Sequence, residues 1–157
     1  MTAPRRQHYN VTFAVLALGA VAYALLQSLV VPALPDIQHE LHASETEVSW
    51  VLTAYLLSAS VSTPIVGRLG DMYGKERVLL IVLAVLAAGT FVSAVATSMP
   101  LLIAGRVIQG IGGGIFPLAF GIIRDEFPRE RVAGGIGLMS SLLGIGGGAG
   151  VVLAGVV

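Results

Sequence analysis

The sequence predicts an all-α fold, a polytopic bundle of transmembrane helices. Three observations carry this prediction. Hydrophobic residues make up 55 % of the chain and charged residues only 11 %, with a mean hydropathy of +0.88, whereas a soluble domain carries about 25 % charged residues. Five apolar runs, at about 11–31, 48–66, 78–96, 101–123 and 132–157, each approach the ~20 residues with which a helix crosses ~30 Å of hydrocarbon. The Lys and Arg residues outside these runs fall only before the first run and on alternate loops. Five consecutive helices without a polar face do not suit a soluble core.

The first span follows Arg5 and Arg6. It is too long for the apolar region of a signal peptide and leads into further spans. Tyr23 and Gln27, four apart, share one helix face and are candidates to line a cavity. Pro32 and Pro35 are expected to end the span. The loop that follows carries Asp36, Glu40, Glu45 and Glu47, with His39 and His42 three apart. Two histidines fall short of a zinc site, which needs further ligands. Ser44 followed by Glu47 reads as a capping box that starts the second span. Trp50 then falls at the membrane interface, where an amphipathic ring is at home.

Ser58, Ser62 and Thr63 in the second span either line a cavity or bond back to their own helix. Pro64, and Pro117 in the fourth span, are expected to kink their helices. The second and third spans are joined by Gly67–Arg77, in which Gly70 and Gly74 suit a tight turn. Asp71 and its basic neighbours must pair or face water beside a bilayer. Thr97-Ser98-Met99-Pro100 gives a second tight turn, into the fourth span. Basic residues lie before span one (Arg5, Arg6), between spans two and three (Arg68, Lys75, Arg77) and between spans four and five (Arg124, Arg129, Arg131). The loops after spans one and three carry none. The positive-inside rule therefore places the N-terminus and the basic loops in the cytoplasm.

Arg106 is the one basic residue inside a span, and no Asp or Glu lies in the interior of any span. A guanidinium cannot shed its charge. It must face a water-filled cavity, pair with an acid, or snorkel out. It lies about six residues below the outer end, ~9 Å at ~1.5 Å per residue, so snorkelling stays open. Gln109 follows nearly one turn later. The glycines of span five, Gly144, Gly146, Gly150 and Gly155, permit close helix approach. Gly144-x-Gly146-x-x-Ala149 matches a dinucleotide fingerprint only superficially, because no strand precedes it. Net charge is zero and nothing points to nucleic acid; there is no cysteine, so disulfides and thiolate metal sites are excluded. No metal, cofactor or enzyme constellation is expected.

Four motifs carry a resemblance to a known family. Gly67-Arg68-Leu69-Gly70-Asp71-Met72-Tyr73-Gly74-Lys75-Glu76-Arg77 resembles G-x-L-x-D-x-x-G-R/K-x-R/K, the loop between the second and third helices of the major facilitator superfamily of transporters. Arg106-Val107-Ile108-Gln109-Gly110-Ile111-Gly112 resembles that superfamily's R-x-x-Q-G-x-G in the fourth helix. Gly144 to Gly155 is similar to its antiporter motif, which ends G-P-x-x-G-G, although Val151 stands at the proline and Ala154 at a glycine. Leu25 to Pro35 is similar to the first-helix signature of the drug:proton antiporters, L-D-x-T-x-x-N-x-A-L-P. There Leu26 replaces the aspartate and Val31 the asparagine.

The resemblance implies that residues 1–157 are an incomplete N-terminal half, about five spans of six, of a transporter whose family has twelve or fourteen. It implies a multidrug-type exporter of the inner membrane working by alternating access. Arg106 and Gln109, with Gln27 and Tyr23, would line the substrate and coupling cavity. Gly67, Asp71, Gly74, Lys75 and Arg77 would form a cytoplasmic conformational latch, against the alternative of a merely solvated turn. Gly110, Gly114, Gly144, Gly146, Gly150 and Gly155 would pack helices. The implied partners are the lipid bilayer, a small-molecule substrate, the remaining half of the transporter and protons, although the departures at Leu26 and Val151 leave proton coupling open. An uncoupled facilitator and a metabolite permease are the alternative transporters. A membrane protein that only assembles through its glycine faces is the alternative of another class.

Overall fold

The computed structural model describes residues 9–154, with side chains described for 11–153; Arg5, Arg6, His8 and Gly155 lie outside these. Six α-helices and one 3-10 turn follow in order: α1 (Tyr9–Glu40), α2 (Glu45–Tyr73), α3 (Lys75–Ala94), α4 (Met99–Gly110), the 3-10 turn Ile111–Gly114, α5 (Ile115–Glu126) and α6 (Arg129–Ala154). The described residues contain no strand. Five helical segments are long and apolar enough to cross a membrane, the fourth being α4, the 3-10 turn and α5 taken together.

The helix starts follow local chemistry. The Ser44 hydroxyl accepts from the Glu47 N–H at 3.3 Å, and the Ser44 N–H donates to the Glu47 carboxylate at 2.9 Å. These reciprocal bonds satisfy donors that a helix start leaves orphaned. Trp50 is half-exposed in the next turn. Ser98 stands at the N-cap position of α4 without a side-chain capping bond, and Pro100 lies in the first turn, where a missing N–H costs nothing.

Two boundaries differ from expectation. Pro32 and Pro35 do not end the first span, because α1 runs through both to Glu40. Each proline removes one helical hydrogen bond. The continued helix in return packs Leu34 and Ile37 against Val51, Met99 and Leu102. The segment Gly67–Tyr73 is not a loop but the last two turns of α2, and the junction to α3 is Gly74 alone, at φ 96°. Gly70 is helical and buried. A Cβ built there would stand 2.3 Å from Leu118 Cδ2, so a larger residue would push that side chain aside. In span four the helix changes form at Ile111–Gly114, ahead of Pro117. Proline removes the bond its N–H would give the carbonyl four residues back, which here belongs to Gly113. The 3-10 turn therefore sits where the α ladder has lost a rung. α2 is continuous through Pro64.

Span four is the most enclosed helix, with α2 and α3 against it, while α1 packs mainly on α6. The larger apolar cluster joins Leu16, Val66, Val82, Leu118, Ile123 and Met139, and the smaller one lies around Val51, Met99 and Leu102. The periphery is apolar: Leu18, Phe91 and Val152 are 69–74 % exposed. So broad an apolar exterior suits lipid and not water.

Candidate functional site

Two polar clusters stand out in this apolar bundle, one buried around Arg106 and one at the α2–α3 junction. Arg106 is only 2 % exposed. Its Nε donates to the Val51 carbonyl at 3.4 Å, its Nη1 to Gln109 Oε1 at 2.7 Å and its Nη2 to Gln27 Oε1 at 3.0 Å. Its guanidinium carbon lies 4.6 Å from the centroid of the Tyr55 ring, a cation–π arrangement. The Tyr55 hydroxyl donates to that of Tyr23, whose ring meets Phe116 edge-on at 5.2 Å. Gln109 Nε2 donates to Thr90 Oγ1 at 3.1 Å, and Thr90 donates in turn to the Leu86 carbonyl at 2.8 Å.

The four residues expected to line a cavity, Arg106, Gln109, Gln27 and Tyr23, thus form one network with Tyr55, Thr90 and Val51. Arg106 does not snorkel, for its head group is held by three helices. Gln109 reaches the guanidinium because three residues on one helix turn back to nearly the same face. Thr90 reaches Gln109 because the α3 and α4 backbones nearly touch. A Cβ at Gly89 would stand 2.8 Å from the Gln109 N and 3.0 Å from the Gly105 carbonyl. The hydroxyl of Thr63 bonds back to its own helix, and that of Ser58 crosses to the Val107 carbonyl at 2.6 Å.

The predicted packing glycines separate into two groups. A Cβ at Gly110 would meet the Tyr55 carbonyl at 2.6 Å, one at Gly114 would meet Val66 at 2.4 Å, and those at Gly146 and Gly150 would meet α1 at Ala24 (2.8 Å) and Ser28 (2.5 Å). These four let backbones approach as small residues do in membrane helix pairs. A Cβ at Gly144 would find no atom within 4 Å, so no helix among the described residues packs against it.

At the α2–α3 junction Lys75 Nζ contacts Asp71 Oδ1 at 3.1 Å and Asp125 Oδ2 at 2.7 Å. Asp125 is at the end of α5, so the ammonium ties the α2–α3 corner to the end of span four. Its stem crosses α5 at Gly121, where a Cβ would come within 2.6–2.7 Å of Lys75 Cε and Cδ. Gly67 faces Pro117, Gly74 makes the corner, and Arg77 is exposed at the mouth of a groove of about 360 Å³ that Asp71, Lys75 and Asp125 share. Sequence reasoning missed Asp125, Gly121, Tyr55, Thr90, Gly89 and Gly105. The one local signal was for Asp125, an acid beside Arg124 at the mouth of a span. The others are marked only by contacts distant in sequence. No group of three or more His, Asp or Glu side chains among the described residues is placed to hold a metal ion.

Comparison with known proteins agrees with this architecture. Residues 16–157 match the family model described as Major Facilitator Superfamily. The chain is similar to an "MFS-type transporter" of Aspergillus terreus, 45 % identical over 118 residues, which covers 74 % of this chain and 21 % of that protein. It is similar to a tetracenomycin C resistance and export protein of Streptomyces glaucescens, 33 % identical over 145 residues, covering 92 % of this chain and 27 % of the relative. It is also similar to multidrug resistance protein 3 of Bacillus subtilis, 36 % identical over 131 residues, covering 83 % of this chain and 25 % of the relative. The chain spans about a fifth to a quarter of the length of these relatives.

Proposed function

The chain belongs to the major facilitator superfamily, and on that premise we propose that it is the N-terminal part of a multidrug-type exporter working by alternating access. The observation that carries this reading is the dual use of span four. Near one end it holds a buried guanidinium with its amide and phenol neighbours, and at the other it presents Asp125 to Lys75. One span then connects a polar site inside the bundle to a charged contact at its end, as a rocking mechanism requires. Relatives named for tetracenomycin C export and multidrug resistance support the direction of transport.

In this mechanism Arg106, Gln109, Gln27 and Tyr23 line the substrate and coupling cavity. Gly67, Asp71, Gly74, Lys75 and Arg77 form the latch, with Asp125 as its partner on span four. Asp71 contacts the remaining half of the transporter, where a carboxylate suits a helix N-terminus. The protein resides in the inner membrane with its N-terminus in the cytoplasm. Proton coupling needs a group that changes charge, and these spans hold no interior acid, so that group comes from the remaining half. The second reading, an uncoupled facilitator, is favoured by Leu26, Val31 and Val151 at positions where the coupled families carry Asp, Asn and Pro.

The test is Asp71→Asn in the full-length protein, with wild type and empty vector beside it and cellular accumulation of a small-molecule dye panel as readout. The amide keeps the shape but loses the charge-assisted bonds. Export by wild type and its loss in Asp71→Asn at equal membrane expression is the expected result. Wild-type cells that accumulate every dye like the empty vector would remove the export reading. Unchanged export by the variant would leave the 2–3 junction a solvated turn.

A further inference from the structure

Arg106 carries a charge that no carboxylate among the described residues answers. Its three named partners are neutral oxygens. They take three of the five N–H groups of a guanidinium, but they cancel no charge. A buried cation at membrane depth is costly unless an anion accompanies it. All nine acids of the chain lie in loops or at the ends of spans.

Beside the guanidinium runs a groove of about 300 Å³ between α1, α3 and α4. Its polar lining is Arg106, Gln109, Thr90 and Ser93; Leu26, Leu29, Ala33 and Ile37 contribute to an apolar trough. Gln109 and Thr90 are committed to each other and to Arg106 and Leu86. Ser93 is not. Its Oγ is the buried side-chain polar atom that finds no partner among the described residues. It is pressed against α4 at Gly105, where a Cβ would stand 2.4 Å away. A buried hydroxyl without a partner costs free energy unless something supplies one. The lining therefore offers N–H groups and an O–H for donation, a fixed positive charge, and no negative one.

We propose that this groove binds an amphipathic organic anion, a carboxylate carried on an apolar body, with the carboxylate accepting from Arg106 and Ser93 and the body lying along Leu29, Ala33 and Ile37. The fixed charge repels organic cations, and a neutral alcohol leaves it uncompensated. This inference rests on the export reading and narrows its substrate class to anions.

The test uses the full-length protein in lipid nanodiscs and radiolabelled octanoate, displaced by unlabelled octanoate, octanol or octyltrimethylammonium. Octanoate should displace at a concentration about tenfold below either competitor, as expected when a charge-assisted hydrogen-bond set is gained. Arg106→Gln should abolish displaceable binding. Ser93→Ala, which removes only the hydroxyl, should weaken octanoate about threefold and leave octanol unchanged. Displacement by octanol or the cation as effectively as by octanoate would overturn the proposal. So would wild-type octanoate affinity in a folded Arg106→Gln protein or in Ser93→Ala. Absence of displaceable binding in wild type would also overturn it and would assign the counter-charge to the rest of the transporter. Dye export measured on the same protein separates the two claims, because export that persists without octanoate binding defeats this inference alone.

Discussion

Gly110→Ala tests the packing that holds the Arg106 site together. The added Cβ would lie 2.6 Å from both the Tyr55 carbonyl and Ser58 Cβ, and 2.9 Å from Ser58 Oγ. Relief requires α2 and α4 to part by about 0.8 Å before ordinary contact distance is regained. Overpacking of this kind costs about 1–3 kcal/mol. The Ser58 bond to the Val107 carbonyl, at 2.6 Å, bridges the same pair of helices, and its loss adds about 1 kcal/mol. The better helix propensity of alanine returns about 1 kcal/mol, leaving a net loss of roughly 1–3 kcal/mol. Spread over a transporter several times this length, that is a fall of no more than a few degrees in melting temperature. Gly144→Ala is the matched control, because its Cβ would meet nothing within 4 Å; it gains only the propensity term and should melt at or slightly above wild type. Thermal melts followed by circular dichroism of the purified protein in detergent read both. A Gly110→Ala protein as stable as wild type would refute the close α2–α4 contact, and equal losses in the two variants would show that composition and not packing matters.

Two further outcomes are expected. Single cysteines introduced into this cysteine-free chain should be blocked from an impermeant thiol reagent in intact cells at Lys75→Cys and accessible at His42→Cys; the reverse pattern would invert the proposed orientation. Asp125→Asn removes one of two contacts to Lys75 from acids that are more than half exposed, so it should cost no more than about 1 kcal/mol. Transport by the same variant should fall severalfold; export unchanged at equal expression would show that the Lys75–Asp125 contact plays no part in the cycle.

The number of spans and the cap at Ser44 were legible before any packing was known, because both are local. A run of apolar side chains, or a serine three residues before a glutamate, states its preference without reference to the rest of the chain. The sequence also singled out Arg106, since an unpaired charge in an apolar run demands an explanation wherever the run is placed. What the sequence could not decide is what that charge touches. Gln27 is 79 residues away and Val51 55, and both arrive only because α1 and α2 pack against α4. The same holds at the α2–α3 junction. Local turn chemistry favours a loop over Gly67–Arg77, but α2 continues to Tyr73, with Gly70 buried beside Leu118, and leaves Gly74 alone to turn the chain. Pro32 and Pro35 give way for a like reason, to the packing of Leu34 and Ile37. Backbone preferences are worth about 1 kcal/mol per glycine and about 3 per proline. Long-range contacts of membrane helices, summed over a face, outweigh them, and only the tertiary structure contains those contacts.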